Sequence, residues 1–263
     1  MKRPPAKKSL GQHFIFNPST IDKIIRLAHV GPGDSILEIG PGPGLMTRQL
    51  AERAARVVAV EKDDRLAAQL QEALKGQKNL TVIHADFLDL DLGRTLEGGP
   101  WKVVANLPYN IATEVVFHLL ERQLLFTSFY LMLQREVGER FCAKPGGKSY
   151  GLPSVFTQIL CDNRILMRLA PGAFTPPPKV HSVLAEFRIH ETPRYDIHHL
   201  PTFEKVVRTA FAQRRKMIRN TLKELGENRL EAALRAAGIP PAARAETVSI
   251  DQFTRLANAL QIS

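Results

Sequence analysis

The sequence is poor in residues that cross-link a chain or anchor it in a membrane. It has two cysteines, one tryptophan and no apolar run of membrane-spanning length. Because Cys142 and Cys161 are the only cysteines, neither a disulfide framework nor a cysteine-rich zinc site is available. Both stand in apolar surroundings. The basic residues near the start are followed by no hydrophobic region, so a secretory signal is not expected. These absences predict a protein of the reducing cytoplasm with neither a membrane nor a metal partner.

Negative charge is also in short supply, because 36 Lys and Arg face 26 Asp and Glu and leave a net charge of +10. A surplus of this size points to a polyanion, nucleic acid before membrane, with a basic but inert surface as the alternative. Residues 1–10 form a basic arm that we expect to be mobile without its partner. Residues 204–225 predict a helix with an apolar face and a basic face that suits phosphate contacts. The basic face consists of Lys205, Arg208, Arg214, Arg215, Lys216 and Arg219.

The composition divides the chain into two predicted domains. Residues 1–190 alternate short apolar runs with turns and helical patterns, which is typical of an α/β domain. A polar linker follows, and its histidines, His198 and His199, lack the spacing and carboxylate company of a metal site. The chain beyond the linker has helical patterns throughout. We therefore predict a small helical RNA-binding domain over residues 191–263.

The tetrad Asn106-Leu107-Pro108-Tyr109 follows a short apolar run, residues 101–105, that predicts a buried parallel strand. Open α/β sheets bind ligands at the carboxyl ends of such strands. The Asn106 amide oxygen and the Pro108 carbonyl can both accept from one exocyclic NH₂, and the Tyr109 ring can stack on a purine. This arrangement suits methyl transfer to the amine of adenine, where orientation matters more than a strong base. A turn that merely ends a strand is the alternative.

Three further strand ends predict an adenosyl site. Gly40 begins a glycine turn after the strand at residues 35–39, where backbone can approach a ligand closely. Glu61 ends the next strand at a spacing that places an acid against ribose hydroxyls. Asp86 follows a third strand and can accept from an adenine amine. Acids at strand ends often only cap helices, but three ends in register favour one ligand site.

The ligand at these strand ends is either S-adenosylmethionine or a nucleotide. A dinucleotide fingerprint is absent because Leu45 stands where it requires glycine. The nearest P-loop candidate, at residues 147–149, fails because Cys142 replaces its upstream glycine. The basic, glycine-rich loop at residues 144–148 either touches RNA or connects elements.

Aromatic residues elsewhere have two possible roles. The proline-rich loop at residues 174–180 can hold Phe174 rigidly. If Phe174 faces Tyr109, the two rings clamp a flipped base; otherwise Phe174 is a buried anchor. His13 and Phe14 either close over a ligand or pack in the core.

Five segments together resemble the KsgA family of ribosomal RNA adenine dimethyltransferases: residues 11–14, 38–42, 106–110, 174–180 and 210–216. The resemblance covers essentially the whole chain. It implies a Rossmann-like class I methyltransferase domain, with a seven-stranded, mostly parallel sheet whose last strand is antiparallel, and a small helical domain after it. Two features depart from the usual pattern: Ile15 replaces leucine, and Pro153 lies in a loop that usually reads Tyr-Gly-x-Leu-Ser.

The resemblance also implies the reaction. S-adenosylmethionine would be the cofactor, and the target would be two adjacent adenosines near the 3′ end of small-subunit rRNA, dimethylated in an assembling 30S-type particle. We expect a monomer. The residues implied for the cofactor are His13, Ile15, Gly40, Glu61, Asp86 and Asn106, and those around the target base are Asn106, Leu107, Pro108, Tyr109 and Phe174.

Two rival functions remain. A resistance methyltransferase acting on large-subunit rRNA would share the sheet and the tetrad, but the Phe174 loop and residues 213–216 favour the small subunit. A non-catalytic assembly or transcription factor would need only the basic arm and the basic helix. The intact residues Glu61, Asp86 and Asn106 favour an enzyme.

Overall fold

The computed structural model describes Lys7, residues 10–225 and residues 227–260, so most of the predicted basic arm lies outside the described residues. The strands are β1 (Phe14–Ile15), β2 (Ser35–Ile39), β3 (Arg56–Glu61), β4 (Leu80–His84), β5 (Trp101–Asn106), β6 (Phe126–Gln134), β7 (Cys161–Leu169), β8 (Phe174–Thr175) and β9 (Ser182–Ile189). The helices are α1 (Pro18–Leu27), α2 (Leu45–Ala51), α3 (Asp64–Ala73), α4 (Leu92–Thr95), α5 (Ala112–Leu120), α6 (Arg135–Phe141), α7 (Leu152–Gln158), α8 (Leu200–Ala212), α9 (Ile218–Thr221), α10 (Glu227–Ala236) and α11 (Ile250–Leu260). None of the described helices is long and apolar enough to cross a membrane.

The chain divides into two compact units, each formed by two segments. The first unit comprises Met1–Gly138 and Asp162–Ile189, and the second comprises Glu139–Cys161 and His190–Ser263. The sequence predicts one boundary, after residue 190, whereas the chain divides at Gly138, at Cys161 and at Ile189. The sequence did not reveal that residues 139–161 group with the C-terminal helices. They do so because Tyr150 and Val155, both fully buried, belong to the apolar core of the second unit.

The first unit contains a seven-stranded sheet in the order β4-β3-β2-β5-β6-β9-β7. Strands β2 to β6 pair in parallel, whereas β9 runs antiparallel to β6. This topology confirms the predicted class I methyltransferase sheet with an antiparallel last strand. The central strands are apolar on both faces: Val57, Val58, Ala59 and Val60 of β3 are at most 2% exposed. Parallel strands covered on both faces require such continuous burial.

Helix α1 shows how local sequence sets the elements beside the site. Asn17 caps the helix by accepting from the N–H groups of Ser19 and Thr20 at 2.9 and 3.1 Å, and Pro18 occupies the first turn. Ile21, Ile24 and Ile25 then form one buried stripe. Asn17 therefore fixes the point at which the chain leaves β1 for the core.

In the second unit, the helix predicted over residues 204–225 is interrupted. Helix α8 ends at Ala212 and α9 begins at Ile218. In a continuous helix the N–H of Ile218 would bond to the carbonyl four residues earlier. It donates instead to the carbonyl of Ala243 at 2.7 Å. The prediction of one continuous helix was wrong because this long-range hydrogen bond overrides local propensity.

Pro153 is accommodated in the first turn of α7, where a proline lacks no helical hydrogen bond. The hydroxyl of Ser154 accepts from the N–H of Gly151 at 3.1 Å and donates to the carbonyl of Arg140 at 2.6 Å. Pro153, which departs from the usual Tyr-Gly-x-Leu-Ser pattern, therefore fits into the first turn of α7 without strain.

Candidate cofactor and base-binding site

A cavity opens at the carboxyl ends of β2, β3, β4 and β5, which meet at one edge of the sheet. Open α/β sheets bind their ligands at this edge. Seven of the residues predicted from the sequence line the cavity: His13, Gly40, Glu61, Asp86, Asn106, Leu107 and Pro108. Leu10 and Gln12 also line it and were not predicted.

Glu61 ends β3 with its carboxylate held by backbone. Oε2 accepts from the N–H of Gly42 at 3.0 Å, and Oε1 accepts from the N–H of Asp63 at 2.8 Å. Burial raises the pKa of Glu61, an effect that these backbone hydrogen bonds oppose. Each carboxylate oxygen keeps a lone pair, so the pair can accept from two neighbouring hydroxyls.

Gly42 is required by this arrangement. Its φ is +57°, and a Cβ there would lie 2.7 Å from the ring of Phe14. A side chain at this position would displace either Phe14 or the turn that donates to Glu61.

Asp86 follows β4 and caps the short turn after it by accepting from the N–H of Leu88 at 3.2 Å. Its second oxygen pairs with the ammonium of Lys62, which lowers the pKa of Asp86. Lys62 also lines the cavity and was missed in the sequence, although it directly follows Glu61. Asp86 is thus held as an ionised acceptor at the cavity edge.

Asn106, the last residue of β5, presents its amide in a fixed orientation. Its Nδ2 donates to the backbone carbonyl of His13 at 2.6 Å. Because a carbonyl can only accept, the amide nitrogen must face His13 and the amide oxygen must face away. That oxygen is buried and has no hydrogen-bond partner among the described residues. A buried acceptor without a partner is costly and indicates a site for a donor.

Leu107 and Pro108, which line the same cavity, differ in how far they are exposed. Leu107 is 2% exposed and Pro108 is half-buried. The Pro108 carbonyl already accepts from the N–H of Ile111 at 3.3 Å, which leaves one lone pair for a ligand. Asn106 is therefore the stronger acceptor of the two.

Tyr109 does not line the cavity but stands behind His13. The two rings are stacked with centroids 5.2 Å apart and planes 25° apart. The Tyr109 hydroxyl lies 2.6 Å from the hydroxyl of Ser182, and Nδ1 of His13 donates to the carbonyl of Pro176 at 2.7 Å. The ring against one face of Tyr109 is therefore that of His13.

The structure does not bring Phe174 to Tyr109. Phe174 lies in β8, where it pairs with Ile15 of β1, and its side chain is 3% exposed within an apolar cluster. The clamp formed by Tyr109 and Phe174 stays a prediction for an RNA-bound state. Burial of Phe174 agrees with the alternative role as an anchor.

A smaller cavity, about 360 Å³, adjoins the first and shares Gly40 and Asn106 with it. Ile15 lines this cavity rather than the larger one. Glu38 of β2 faces it, is fully buried, and has no hydrogen-bond partner for either oxygen among the described residues. Burial raises the pKa of Glu38 to about 8, and the nearby Thr47 hydroxyl offsets this only in part because it is not aligned for a hydrogen bond.

No role was assigned to Glu38 from the sequence. The available signal was a carboxylate inside an otherwise apolar strand, between Leu37 and Ile39. Acids are almost never fully buried without a partner. Glu38 and Asn106 both line the smaller cavity, and their unpartnered oxygens are acceptors suited to a hydrogen-bond donor, above all to a cation.

The predicted basic residues of the second unit are all exposed: Lys205, Arg208, Arg214, Arg215, Lys216 and Arg219. Arg208 lies over the ring of Phe156, 4.8 Å from its centroid. Arg214 donates to the carbonyls of Lys148 and Tyr150 at 2.9 and 3.1 Å, so it fixes the basic loop at residues 144–148. Within the described residues, Arg215 and Lys216 form no ion pair and keep their donors for a partner.

No cluster of histidine, cysteine or acidic side chains among the described residues has the arrangement of a metal site. The carboxylates and the Asn106 amide oxygen at the sheet edge are acceptors, and Lys62 is a donor beside Asp86.

Comparison with known proteins gives a consistent result. The profile described as ribosomal RNA adenine dimethylase matches residues 4–261. A protein named ribosomal RNA small subunit methyltransferase A from Syntrophotalea carbinolica is 44% identical over 97% of both chains. One of the same name from Caldanaerobacter subterraneus is 42% identical over 98% of both chains.

Solved structures extend the likeness. The crystal structure of the 23S rRNA methyltransferase ErmE has a TM-score of 0.75 and 31% identity, and the match covers 94% of this chain and 99% of that one. A dimethyladenosine transferase from Plasmodium falciparum has a TM-score of 0.77 and 24% identity, with 93% and 96% covered, which shows a shared fold.

Proposed function

Because this chain belongs to the ribosomal RNA adenine dimethylase family, we propose that it dimethylates the exocyclic nitrogen of two adjacent adenosines near the 3′ end of small-subunit rRNA. It is an S-adenosylmethionine-dependent methyltransferase. The observation that carries the proposal is the buried, unpartnered amide oxygen of Asn106, a residue that lines the larger cavity at the sheet edge.

The donor and acceptor pattern of the cavities fits S-adenosylmethionine. Glu61 would accept from the ribose hydroxyls, and Asp86 would accept from the adenine amine. Glu38, a buried carboxylate without a partner, would pair with the ammonium of the methionine part. His13, Ile15 and Gly40 would contribute the walls around them. The cofactor supplies an electrophilic methyl group on a sulfonium.

At the tetrad, the residues of this chain would hold the target amine. The Asn106 oxygen accepts one of its hydrogens, and the remaining lone pair of the Pro108 carbonyl accepts the other. Such holding makes the nitrogen more pyramidal and aligns its lone pair for attack. No strong base is needed because the cationic product is acidic and loses its proton readily. Orientation of this kind can supply several kcal/mol, on the order of 7–11 at best.

The second methylation places a further demand on this pocket. After the first transfer the nitrogen keeps one hydrogen, so only one acceptor stays satisfied. Asn106 is the better candidate to keep it, since the Pro108 carbonyl has a second partner in Ile111. The first methyl group would then lie beside Pro108. Leu107, Tyr109 and Phe174 would shape the space around the base.

RNA contact is assigned to the second unit. The six exposed cations from Lys205 to Arg219, with no acid among them, would pair with phosphates. We further propose that the enzyme acts as a monomer on an assembling 30S-type particle in the cytoplasm. The stronger identity to small-subunit enzymes, 44% against 31% for ErmE, supports this substrate over large-subunit rRNA.

Incubation with unmethylated small and large subunits, followed by mass spectrometry of the rRNA, tests the substrate. We expect two adjacent dimethyladenosines in small-subunit rRNA and no methylation of large-subunit rRNA. Methylation of large-subunit rRNA would favour the resistance type. Binding to small subunits without any methylation would favour a non-catalytic assembly factor.

A further inference from the structure

We propose that Ser182 is a positioning residue for base binding: its hydroxyl anchors the outer end of the Tyr109 ring on which the target adenine stacks, while the stacked His13 ring sets the plane of that ring. This inference rests on the proposed function, because it requires that Tyr109 receives the base. The juxtaposition that supports it is a hydrogen bond of 2.6 Å between the hydroxyls of Ser182 and Tyr109, 73 residues apart in the chain.

Ser182 is attached to a rigid part of the sheet. It is the first residue of β9, its side chain is fully buried, and its Cα is paired with that of Gln134 at the end of β6. Immediately before it, the carbonyl of His181 accepts from the N–H of Arg135 at 2.9 Å. The position of the Ser182 hydroxyl is therefore set by strand pairing, and groups on strands are placed more accurately than groups on loops.

Tyr109 lacks such support of its own. It stands in the loop between β5 and α5, where the backbone is held by one turn hydrogen bond from Ile111 to Pro108. The ring of His13 covers one face, but stacking alone permits a ring to slide. The hydrogen bond to Ser182 anchors the hydroxyl end of the ring and so prevents it from sliding, while the stacked His13 ring sets its plane. The ring is then fixed by contact at one face and by a tether at its hydroxyl.

The same contacts link the ring to the acceptor that holds the amine. His13 stacks on Tyr109 through its side chain and accepts from Asn106 through its backbone carbonyl at 2.6 Å. An adenine stacked on the face of Tyr109 opposite His13 would have its amine height set by the ring and its amine direction set by Asn106. A shift of Tyr109 would misplace the amine even with Asn106 intact.

The inference separates base positioning from cofactor binding. Neither Ser182 nor Tyr109 lines the larger cavity, so their loss should leave cofactor affinity unchanged. Loss of one neutral hydrogen bond corresponds to roughly a fivefold fall in kcat/KM for unmethylated small subunits.

A double-mutant cycle with Ser182→Ala and Tyr109→Phe tests this role, with Ser182→Thr as the conservative variant that keeps a hydroxyl. Each single change should lower kcat/KM about fivefold, and the double variant should be no worse than either single one, because both remove the same hydrogen bond. The dissociation constant for S-adenosylmethionine should not change, and Ser182→Thr should restore much of the rate.

Two outcomes overturn the inference: wild-type activity in either Ser182→Ala or Tyr109→Phe, or additive losses in the double variant. If Ser182→Ala does not fold, Tyr109→Phe alone decides, since it removes the same bond from the loop side. Tyr109→Ala tests the underlying assignment separately. Full methylation by Tyr109→Ala would show that the base does not stack on Tyr109. If Tyr109→Ala is inactive while Tyr109→Phe has normal activity, only the role of Ser182 is refuted.

Discussion

The two units of the chain keep their functional polar groups in opposite environments. In the first unit they are buried acceptors: both oxygens of Glu38 and the amide oxygen of Asn106 have no partner among the described residues. In the second unit they are exposed donors such as Arg215 and Lys216, above an apolar core of helices. A desolvated group on a rigid strand selects one small ligand, whereas exposed cations on turns suit an extended polyanion. Substitutions in the first unit should therefore impair cofactor binding or methyl transfer, and substitutions in the second unit should impair RNA binding.

The largest effect is expected at Asn106. Asn106→Ala removes the acceptor for the amine and the donor that holds His13, so methylation should fall by about a hundredfold or more. Rates on unmethylated small subunits measure this, with circular dichroism to confirm folding and Asn220→Ala, an exposed asparagine of the second unit, as the control. Binding to the subunits should persist because the exposed cations are unchanged. Near-normal turnover would remove Asn106 from the chemistry.

Glu61 should show a loss of affinity instead. Its carboxylate is 5% exposed and held toward the cavity by Gly42 and Asp63, so Glu61→Ala should weaken S-adenosylmethionine binding by about 10- to 100-fold. Titration calorimetry gives the dissociation constant, and Glu72→Ala, an exposed acid of α3, is the matched control. Unchanged affinity in Glu61→Ala would contradict the ribose assignment.

The second unit should respond to salt. Replacing Arg215 and Lys216 together by Ala should weaken RNA binding several-fold and reduce the slope of log K against log salt by about 1.5. Arg229→Ala with Arg235→Ala, two exposed arginines of α10, removes the same charge elsewhere in the unit. If both pairs change the slope equally, net charge rather than this turn governs binding.

The smallest effect is expected at Glu38, and it is the release of a proton when the cofactor binds. The Glu38 pKa of about 8 means that the side chain is mostly protonated at pH 7, and an ammonium placed against it favours the ionised form. Binding of S-adenosylmethionine at pH 7 should therefore release up to about 0.9 proton, which calorimetry in buffers of different ionisation enthalpy detects. Glu38→Gln should abolish the release. Proton uptake, or equal release by the variant, would refute the pairing.

The same raised pKa makes stability depend on pH. The folded chain keeps a proton that the unfolded chain loses above its ordinary value of 4.5. The contribution of Glu38 is thus most favourable below about pH 4.5 and declines as pH rises toward 8. Glu38→Gln should flatten this decline in unfolding measured without cofactor.

Local sequence patterns predicted much of the fold. Continuous β-branched runs such as residues 57–60 indicated buried parallel strands, and strand ends located Gly40, Glu61, Asp86 and Asn106 at one edge. What pattern could not supply was contact between distant segments. The hydrogen bond from Ile218 to Ala243 interrupts a helix that propensity alone would continue.

The same limit applied within the site. The sequence left two roles open for Phe174, a clamp with Tyr109 or a buried anchor, and could not show that β1 pairs with β8 or that His13 stacks on Tyr109. Ser182 has no local signal at all, because its role depends on the start of β9 lying beside the loop after β5. Glu38 did carry a signal, a lone acid in an apolar strand, and buried polar exceptions of this kind are the most informative positions in such a chain.

A crystal structure with S-adenosylhomocysteine and adenosine bound tests the central claim most directly. The amine nitrogen of the adenosine should lie about 3 Å from the Asn106 amide oxygen, with the cofactor sulfur in line behind it and the ribose of the cofactor on Glu61. A sulfur atom remote from Asn106, or an amide oxygen covered by protein while both ligands are bound, would contradict it.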